Sequence, residues 1–251
     1  MISLKRRELI EELLLIQDTV TVAELVDYLQ VSTATIRRDL LIMEKEGLLI
    51  RMHGGIRRKE KGSRVSEIGE LPARQKLDLR AAEKLRIARY AASFIQDGEC
   101  IFIDSGTTPA YIYDFIRHKS ILIVTNNLLL IGNIRSTDHA RVILGAGDYN
   151  SQHHLVDGQL FLDVLMQFNF QHAFIGVSGY DCLTHTLTCT SLNASSIKKH
   201  AMQQSLHTYV VADSSKRTEK GIVTFAKTEE VTAILTTACG DIQDVKNLIS
   251  C

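Results

Sequence analysis

The stretch VSTATIRRDLLIMEKEGLLIRMHGG, Val31 to Gly55, packs small hydroxyl residues, paired arginines and an apolar stripe into one segment that finishes on two glycines. Ile36, Leu40 and Met43 recur at i, i+4 and i+7, and at about 100° per residue they form one inward side of a helix. Ser32 stands where an N-cap belongs, so the helix is expected to run to about Glu46. Its outward side then presents Ala34 and Arg38, with Thr35 further round and Arg37 on the flank. Leu41 and Ile42 suit neither face and are expected to pack on a neighbouring element.

Working outward, Thr21 followed three residues later by Glu24 is a capping box. It starts a preceding helix that offers Val22, Leu25, Val26 and Leu29 to a core, and before it Leu9, Leu13 and Ile16 recur at helical spacing. After Gly47, LLIRMHGGIRRK is expected to form two short strands around a Gly-Gly turn. The outcome is helix, tight turn, helix and basic hairpin. A small outward residue lets such a helix approach a major groove, hydroxyls reach phosphates or base edges, and arginine grips guanine through two hydrogen bonds. Ser32, Thr33, Ala34, Thr35, Arg37 and Arg38 are therefore the expected DNA-reading residues, with Arg51, His53 and Arg57 of the hairpin touching the backbone. An isolated helix carrying Arg-Arg is most simply a solvated face. Here the cap, the turn, the small outward residue and the hairpin agree, which argues for a binding surface.

Bulk charge does not carry that reading, because 29 basic side chains balance 29 acidic ones. The distribution does: from Thr33 to Arg64 nine Lys or Arg face four acids, a compact basic footprint on a neutral chain. With 45% hydrophobic and 23% charged residues the profile is globular. No apolar run reaches the roughly 18 residues that span a bilayer, and MISLKRRELIEELLLIQ alternates charge instead of forming a secretory signal. A cytoplasmic protein with no membrane partner is expected. Its five cysteines are odd in number and scattered, so they are expected to be reduced.

The first domain is expected at residues 1–57, followed by a charged linker at 58–76 that is poor in large apolar residues. Residues 77–251 form the second domain. There a helix offering Ala81, Leu85, Ala88 and Ala92 precedes apolar strands CIFID, ILIVT, RVILGA, AFIGVSG, TYVVAD and TAILTT, alternating with amphipathic helices, the last at Asp241 to Ile249. That alternation indicates an α/β architecture with a largely parallel sheet covered on both faces. Ligands of such sheets bind beyond the carboxyl ends of the strands, and polar or glycine-rich clusters fall there: DSGTT, TNN, GAG, SGYD and DSSK.

SGTTPAYIY is the most informative of these, since the chain has only two prolines. Thr108 as cap and Pro109 as first helical residue would aim the N–H groups of Ser105, Gly106, Thr107 and Thr108 at one anion. Lys216 would add a positive charge, Asp104 and Asp213 would accept hydrogen bonds from sugar hydroxyls, and Thr125, Asn126 and Gly145 complete the candidate effector site. The alternatives are an ordinary strand-to-helix turn and a solvated lysine. There is no GxxxxGK[ST], and GAGDYN lacks the third glycine of GxGxxG, so neither ATP nor NAD nor any other cofactor is expected. Cys182, His185 and Cys189 lie close together and His153 adjoins His154, but no paired zinc spacing repeats, and no metal is expected.

VSTATIRRDL with RMHGG resembles the N-terminal winged helix-turn-helix of the DeoR family of bacterial sugar-metabolism repressors. ARQKLDLRAAEKLRIA, FIDSGTT, VTNN, GVSG and VVADSSK resemble the effector domain of the same family, which is similar to phosphosugar isomerases of the ribose-5-phosphate isomerase type. The resemblance implies a non-enzymatic repressor of a carbohydrate-catabolism operon that binds operator DNA as a homo-oligomer, dimer or tetramer, and is relieved by a phosphorylated sugar or polyol. The chain departs from the pattern at Ser191, Asn193 and Ala194, where the family carries an acidic residue, and at GAG in place of GG. The rival reading is a phosphosugar isomerase fused to a DNA-binding domain, drawing its acid or base from Asp104, Asp213 or Lys216.

Overall fold

The computed structural model describes residues 3–17, 19–45, 48–52, 54–58, 72–217, 219–237 and 247–251. The chain divides into two compact units, Met1–Gly62 and Ser63–Cys251.

The first unit runs α1 (Ser3–Ile16), β1 (Thr19–Thr21), α2 (Val22–Leu29), α3 (Thr33–Lys45), β2 (Leu49–Met52) and β3 (Gly55–Arg58). Thr21 and Glu24 form the expected reciprocal cap: the Glu24 amide donates to Thr21 Oγ1 at 3.2 Å and the Thr21 amide to Glu24 Oε2 at 2.7 Å. Gln30 ends α2 in the left-handed conformation, φ 53°, which turns the chain sharply into α3. Ile36, Leu40 and Met43 are buried as their spacing requires, joined by Leu25, Leu29, Ile10 and Leu14. On α1 the deepest residues are thus Ile10 and Leu14, with Leu9 and Leu13 only partly buried. The hairpin holds, and β1 adds a third strand in the order β1-β3-β2. That strand explains the second glycine. Gly54 takes the positive φ of the turn, whereas a Cβ on Gly55 would sit 2.6 Å from the Val20 carbonyl oxygen of β1.

The second unit runs α4 (Ala73–Asp78), α5 (Ala81–Ala92), β4 (Cys100–Ile103), α6 (Thr107–Ala110), α7 (Ile112–Ile116), β5 (Leu122–Thr125), α8 (Leu128–Ile131), β6 (Arg141–Leu144), β7 (Asp148–Asn150) and β8 (Leu155–Asp157). It continues with α9 (Gln159–Leu165), β9 (Phe170–Gly176), β10 (Gly179–Asp181), β11 (Thr186–Cys189), α10 (Leu192–Gln203), β12 (Ser205–Val211), β13 (Val223–Lys227), β14 (Ala233–Thr236) and β15 (Leu248–Ser250). Among the described residues a parallel sheet has the order β15-β14-β12-β9-β4-β5-β6, with apolar clusters on both faces. Strand order reverses at β4, which lies between β5 and β9, so the ligand crevice of a doubly wound sheet falls at its carboxyl end.

Several local expectations shift. Leu248–Ser250 is a strand parallel to β14 and not the end of a helix, and 238–246 lie outside the described residues. Residues 73–76, expected within the connection, begin helix α4, while 59–71 lie outside the description. On α5 the buried face is Ile87, Ala88, Ala91 and Ala92, and Leu85 is exposed. The antiparallel ribbon β7–β8 and the sheet β10-β11-β13 add strands that the periodicity did not mark.

Candidate functional site

On the first unit the outward side of α3 exposes Ser32, Thr33, Ala34, Arg37 and Arg38, with Thr35 half-buried. Ser32 caps the helix: its Oγ accepts from the Thr35 amide at 3.3 Å and lies 2.9 Å from Thr35 Oγ1. Thr35 therefore reaches any groove only by leaving that pair. Arg51 lies 3.7 Å from Glu44 in a surface ion pair, which is weak enough for a phosphate to displace. His53 and the side chain of Arg57 lie outside the described residues. Leu41 stays 45% exposed, so the expected neighbour does not cover it within this unit.

Sequence reading missed what aims α3. Asp39, 2% exposed, accepts from Arg6 Nε of α1 at 2.8 Å, and Arg7 Nε lies 3.8 Å away. A carboxylate buried on the rear of the helix and tied to guanidinium groups of α1 adds to the Ile36, Leu40, Met43 stripe in holding the side that turns Arg37 and Arg38 outward. The signal was the acid next to Arg-Arg at a position adjoining the apolar stripe.

On the second unit a cavity of about 140 Å³ opens at the carboxyl ends of β4 and β5. Asp104, Ser105 and Asn126 line it together, as the loop positions suggested. One wall is the β7–β8 ribbon, through Asn150, Gln152, His153, Leu155 and Asp157; the other is the start of α10, through Thr190, Ser191, Ala194 and Ile197. Asn126 is 1% exposed and its Oδ1 receives no hydrogen bond from the protein. Leaving a buried acceptor unmet costs about 1–3 kcal/mol, and Asn126 is one of the residues that line the cavity.

Behind the cavity, Asp104 is 1% exposed and accepts from the Lys198 ammonium and, at 3.0 Å, from the Gly176 amide at the end of β9. Lys198 also lies over the Phe225 ring, 5.9 Å from its centroid. This buried pair joins α10 to the carboxyl end of β4, where strand order reverses. Lys198 was legible only as a lysine sharing a helical stripe with Ala194 and Ala201. Asn127, the second asparagine of the TNN cluster and the N-cap of α8, ties the loops together: its Nδ2 donates to the carbonyls of Asp104 at 3.0 Å and Gly106 at 2.9 Å, while its Oδ1 accepts from the Leu129 and Leu130 amides. At the rim, burial raises the pKa of Asp157, and the nearby Asp148 carboxylate raises it further against the opposing pull of His153.

The other expected residues are placed differently. Thr125 is internal, its Oγ1 donating to the Ile103 carbonyl at 2.5 Å and accepting from the Asn127 amide at 3.0 Å. Gly106, φ +120°, is the N-cap of α6, so Thr107 is its first residue and Thr108 is not the cap. That helix is a four-residue turn, too short to build the dipole that the anion argument used. Gly145 serves packing, since a Cβ there would lie 2.0 Å from Phe161 Cδ2.

Asp213 and Lys216 do not line the cavity. Asp213 Oδ1 accepts from the Ser215 amide and hydroxyl, and Lys216 lies 2.5 Å from Glu219. They belong to a polar cluster between β12 and α5. In it burial would raise the Glu83 carboxyl, but hydrogen bonds from the Thr237 hydroxyl, the Ser214 amide and Arg80 hold it down at about 2. Burial also lowers the neighbouring Lys84 ammonium to about 8, with Asp213 opposing. Among the described residues no group of three or more His, Cys, Asp or Glu is arranged to hold a metal ion, and no helix is long and apolar enough to cross a membrane.

An exposed helix carrying Arg37 and Arg38 on one unit and a cavity at the sheet edge of an α/β unit are the parts of a DNA-binding regulator with a sensor. Residues 6–61 match the DeoR-like helix-turn-helix domain and residues 79–238 the DeoR C terminal sensor domain. The chain belongs to the DeoR family of transcriptional regulators and is not an enzyme. It is similar to the glycerol-3-phosphate regulon repressor of Escherichia coli (strain K12), 32% identical over 93% of this chain and 90% of that one. It is likewise similar to the HTH-type transcriptional regulator FruR of Bacillus subtilis (strain 168), 32% identical over 95% and 92%. The lactose phosphotransferase system repressor of Staphylococcus epidermidis is 32% identical over 85% and 83%. Part of the chain resembles a D-ribose-5-phosphate isomerase solved with phospho-erythronic acid, at 20% identity, 55% and 54% coverage and a TM-score of 0.38.

Proposed function

We propose that this regulator represses a carbohydrate-catabolism operon from the cytoplasm and is relieved when a phosphorylated sugar or polyol fills the cavity beside Asn126. The division of labour follows the chain: residues 1–57 read operator DNA, 58–76 connect, and 77–251 sense the effector. Ser32, Thr33, Ala34, Thr35, Arg37 and Arg38 read the groove, and Arg51, His53 and Arg57 hold the backbone. Asp104, Ser105 and Asn126 meet the effector, joined by Asn150, Gln152, His153, Thr190 and Ser191. A lining of hydroxyls, amides and carboxylates suits a polyhydroxylated ligand, and His153 can carry positive charge toward its phosphate. Gly106, Thr107, Thr108 and Thr125 shape the turn beneath it. Paired half-sites demand a symmetric oligomer, dimer or tetramer.

The observation that carries the reading is the cavity at the carboxyl edge of the sheet, lined largely by polar residues, among them Asn126, whose buried Oδ1 meets no protein donor. Thermal melts with ribose 5-phosphate, fructose 1-phosphate, glycerol 3-phosphate, their unphosphorylated parents and inorganic phosphate test it. One phosphorylated compound at about 100 Kd should stabilise the chain by about 2.7 kcal/mol, and Asn126→Ala should abolish that gain. Equal stabilisation of wild type and variant, or none by any of these compounds, refutes the assignment.

A further inference from the structure

The ribbon that walls the cavity also holds the helix next to the interdomain connection. The carbonyl of Gln152 accepts the amide N–H of Ala73, first residue of α4, at 2.9 Å. Gln152 itself lines the cavity, between Asn150 and His153. At the other end of α4, the Tyr111 hydroxyl donates to the Leu77 carbonyl at 3.1 Å. Tyr111 follows directly on α6, the turn that starts from the Asp104–Ser105 wall. The buried Lys84 ammonium donates to the Lys76 carbonyl. A six-residue helix is thus tethered at both ends to segments that leave the cavity.

The ribbon depends on its neighbours for its position. Two strands alone are marginally stable in water, so β7–β8 takes its place from what it touches. Besides α4 that is the segment after β5, through the Val156 amide on the Asn126 carbonyl at 3.0 Å and the Leu128 amide on the His154 carbonyl at 2.9 Å, and helices α8, α9 and α10, on which β8 packs. His154 at its tip carries φ 48°, a left-handed conformation unfavourable for a residue with a Cβ. A ligand that hydrogen-bonds Asn150, His153 or Asn126 changes the balance of contacts that sets the ribbon, and with it the Gln152 carbonyl.

We propose that α4 is the element through which occupancy of the cavity reaches the linker: effector binding shifts the β7–β8 ribbon, changes the Gln152–Ala73 hydrogen bond and so the hold on α4. This rests on the reading of the cavity as the effector site. Coupling of this kind needs an element that both sites bias, and α4 has a donor, an acceptor and a direct covalent path to residues 59–71.

The test uses the full chain, a duplex selected from a random pool for tight binding, and the probes ribose 5-phosphate, fructose 1-phosphate, glycerol 3-phosphate and inorganic phosphate. Ala73→Pro removes the N–H at a position where a helix tolerates proline. Tyr111→Phe removes the second tether with little change in shape, and keeps the test decisive where the proline disturbs folding. Both variants should bind the active probe as wild type does. The probe-induced change in duplex affinity should fall by about fivefold or more in each, and hydrogen exchange across residues 72–79 should respond to the probe in wild type. Wild-type coupling in both variants, or exchange across 72–79 that ignores a bound probe, overturns the α4 proposal while leaving the effector site standing. Failure of every probe to bind overturns both.

Discussion

Replacing Lys198 with methionine strips the partner from a carboxylate that is 1% exposed, and the consequence can be sized. In the native chain Asp104 accepts from the Lys198 ammonium and the Gly176 amide, with the Ser105 hydroxyl at 3.4 Å too long to add much. Breaking a buried pair by removing one member costs about 3–5 kcal/mol, because the remaining charge stays desolvated. For a unit the size of Ser63–Cys251 each kcal/mol moves Tm by about 2–4 °C, so Lys198→Met should lower its melting by about 6–20 °C. Removing both charges should cost less than removing one, since a neutral pair of similar volume needs no hydration. Circular-dichroism melts of Lys198→Met, Asp104→Asn and the double variant form the cycle, and the double variant should melt above Lys198→Met. A Lys198→Met melt within about 2 °C of wild type, or a double variant no better than the single, would refute the claim that this buried pair is a mutually dependent one.

Asp39→Ala should destabilise the first unit by about 1–3 kcal/mol and weaken duplex binding, since the hydrogen bond from Arg6 to a buried carboxylate is lost; urea melts and anisotropy titration check both. Arg38→Ala should cost about 1–3 kcal/mol of duplex affinity and leave the melting response to sugar phosphates unchanged. Asp157→Asn should change how stability follows pH. The folded carboxyl has a raised pKa, so the native state holds that proton more tightly than the unfolded chain, and its stabilising effect is lost as pH rises through the folded value. The variant should therefore gain on wild type above that value and lose the advantage below the ordinary carboxylate range, read from melts at a series of pH values. Gly145→Ala should cost about 1–3 kcal/mol through collision with the Phe161 ring, visible as a lowered Tm without ligand.

The sequence by itself determined much that depends on near neighbours along the chain, though not the cap of α6, the buried face of α5 or the strand at Leu248–Ser250. The Thr21–Glu24 box, the Ile36, Leu40, Met43 stripe, the Gly54 turn and the apolar strands ending in polar loops each draw on residues a few positions apart, where backbone geometry leaves few choices. That sufficed for a winged helix-turn-helix followed by a parallel α/β sensor, and for placing Asp104, Ser105 and Asn126 at one edge. Only the tertiary structure decided which loops meet. Lys198 reaches Asp104 across 94 residues, Asp39 reaches Arg6 across 33, and Gln152 reaches Ala73 between segments with no shared periodicity. The same convergence drew Asp213 and Lys216 into a cluster with Glu83 and away from the cavity, and made Gly145 a seat for Phe161. Side chains far apart in sequence meet through the sheet order and the packing of helices upon it, and no local pattern records which of several polar loops ends up facing which.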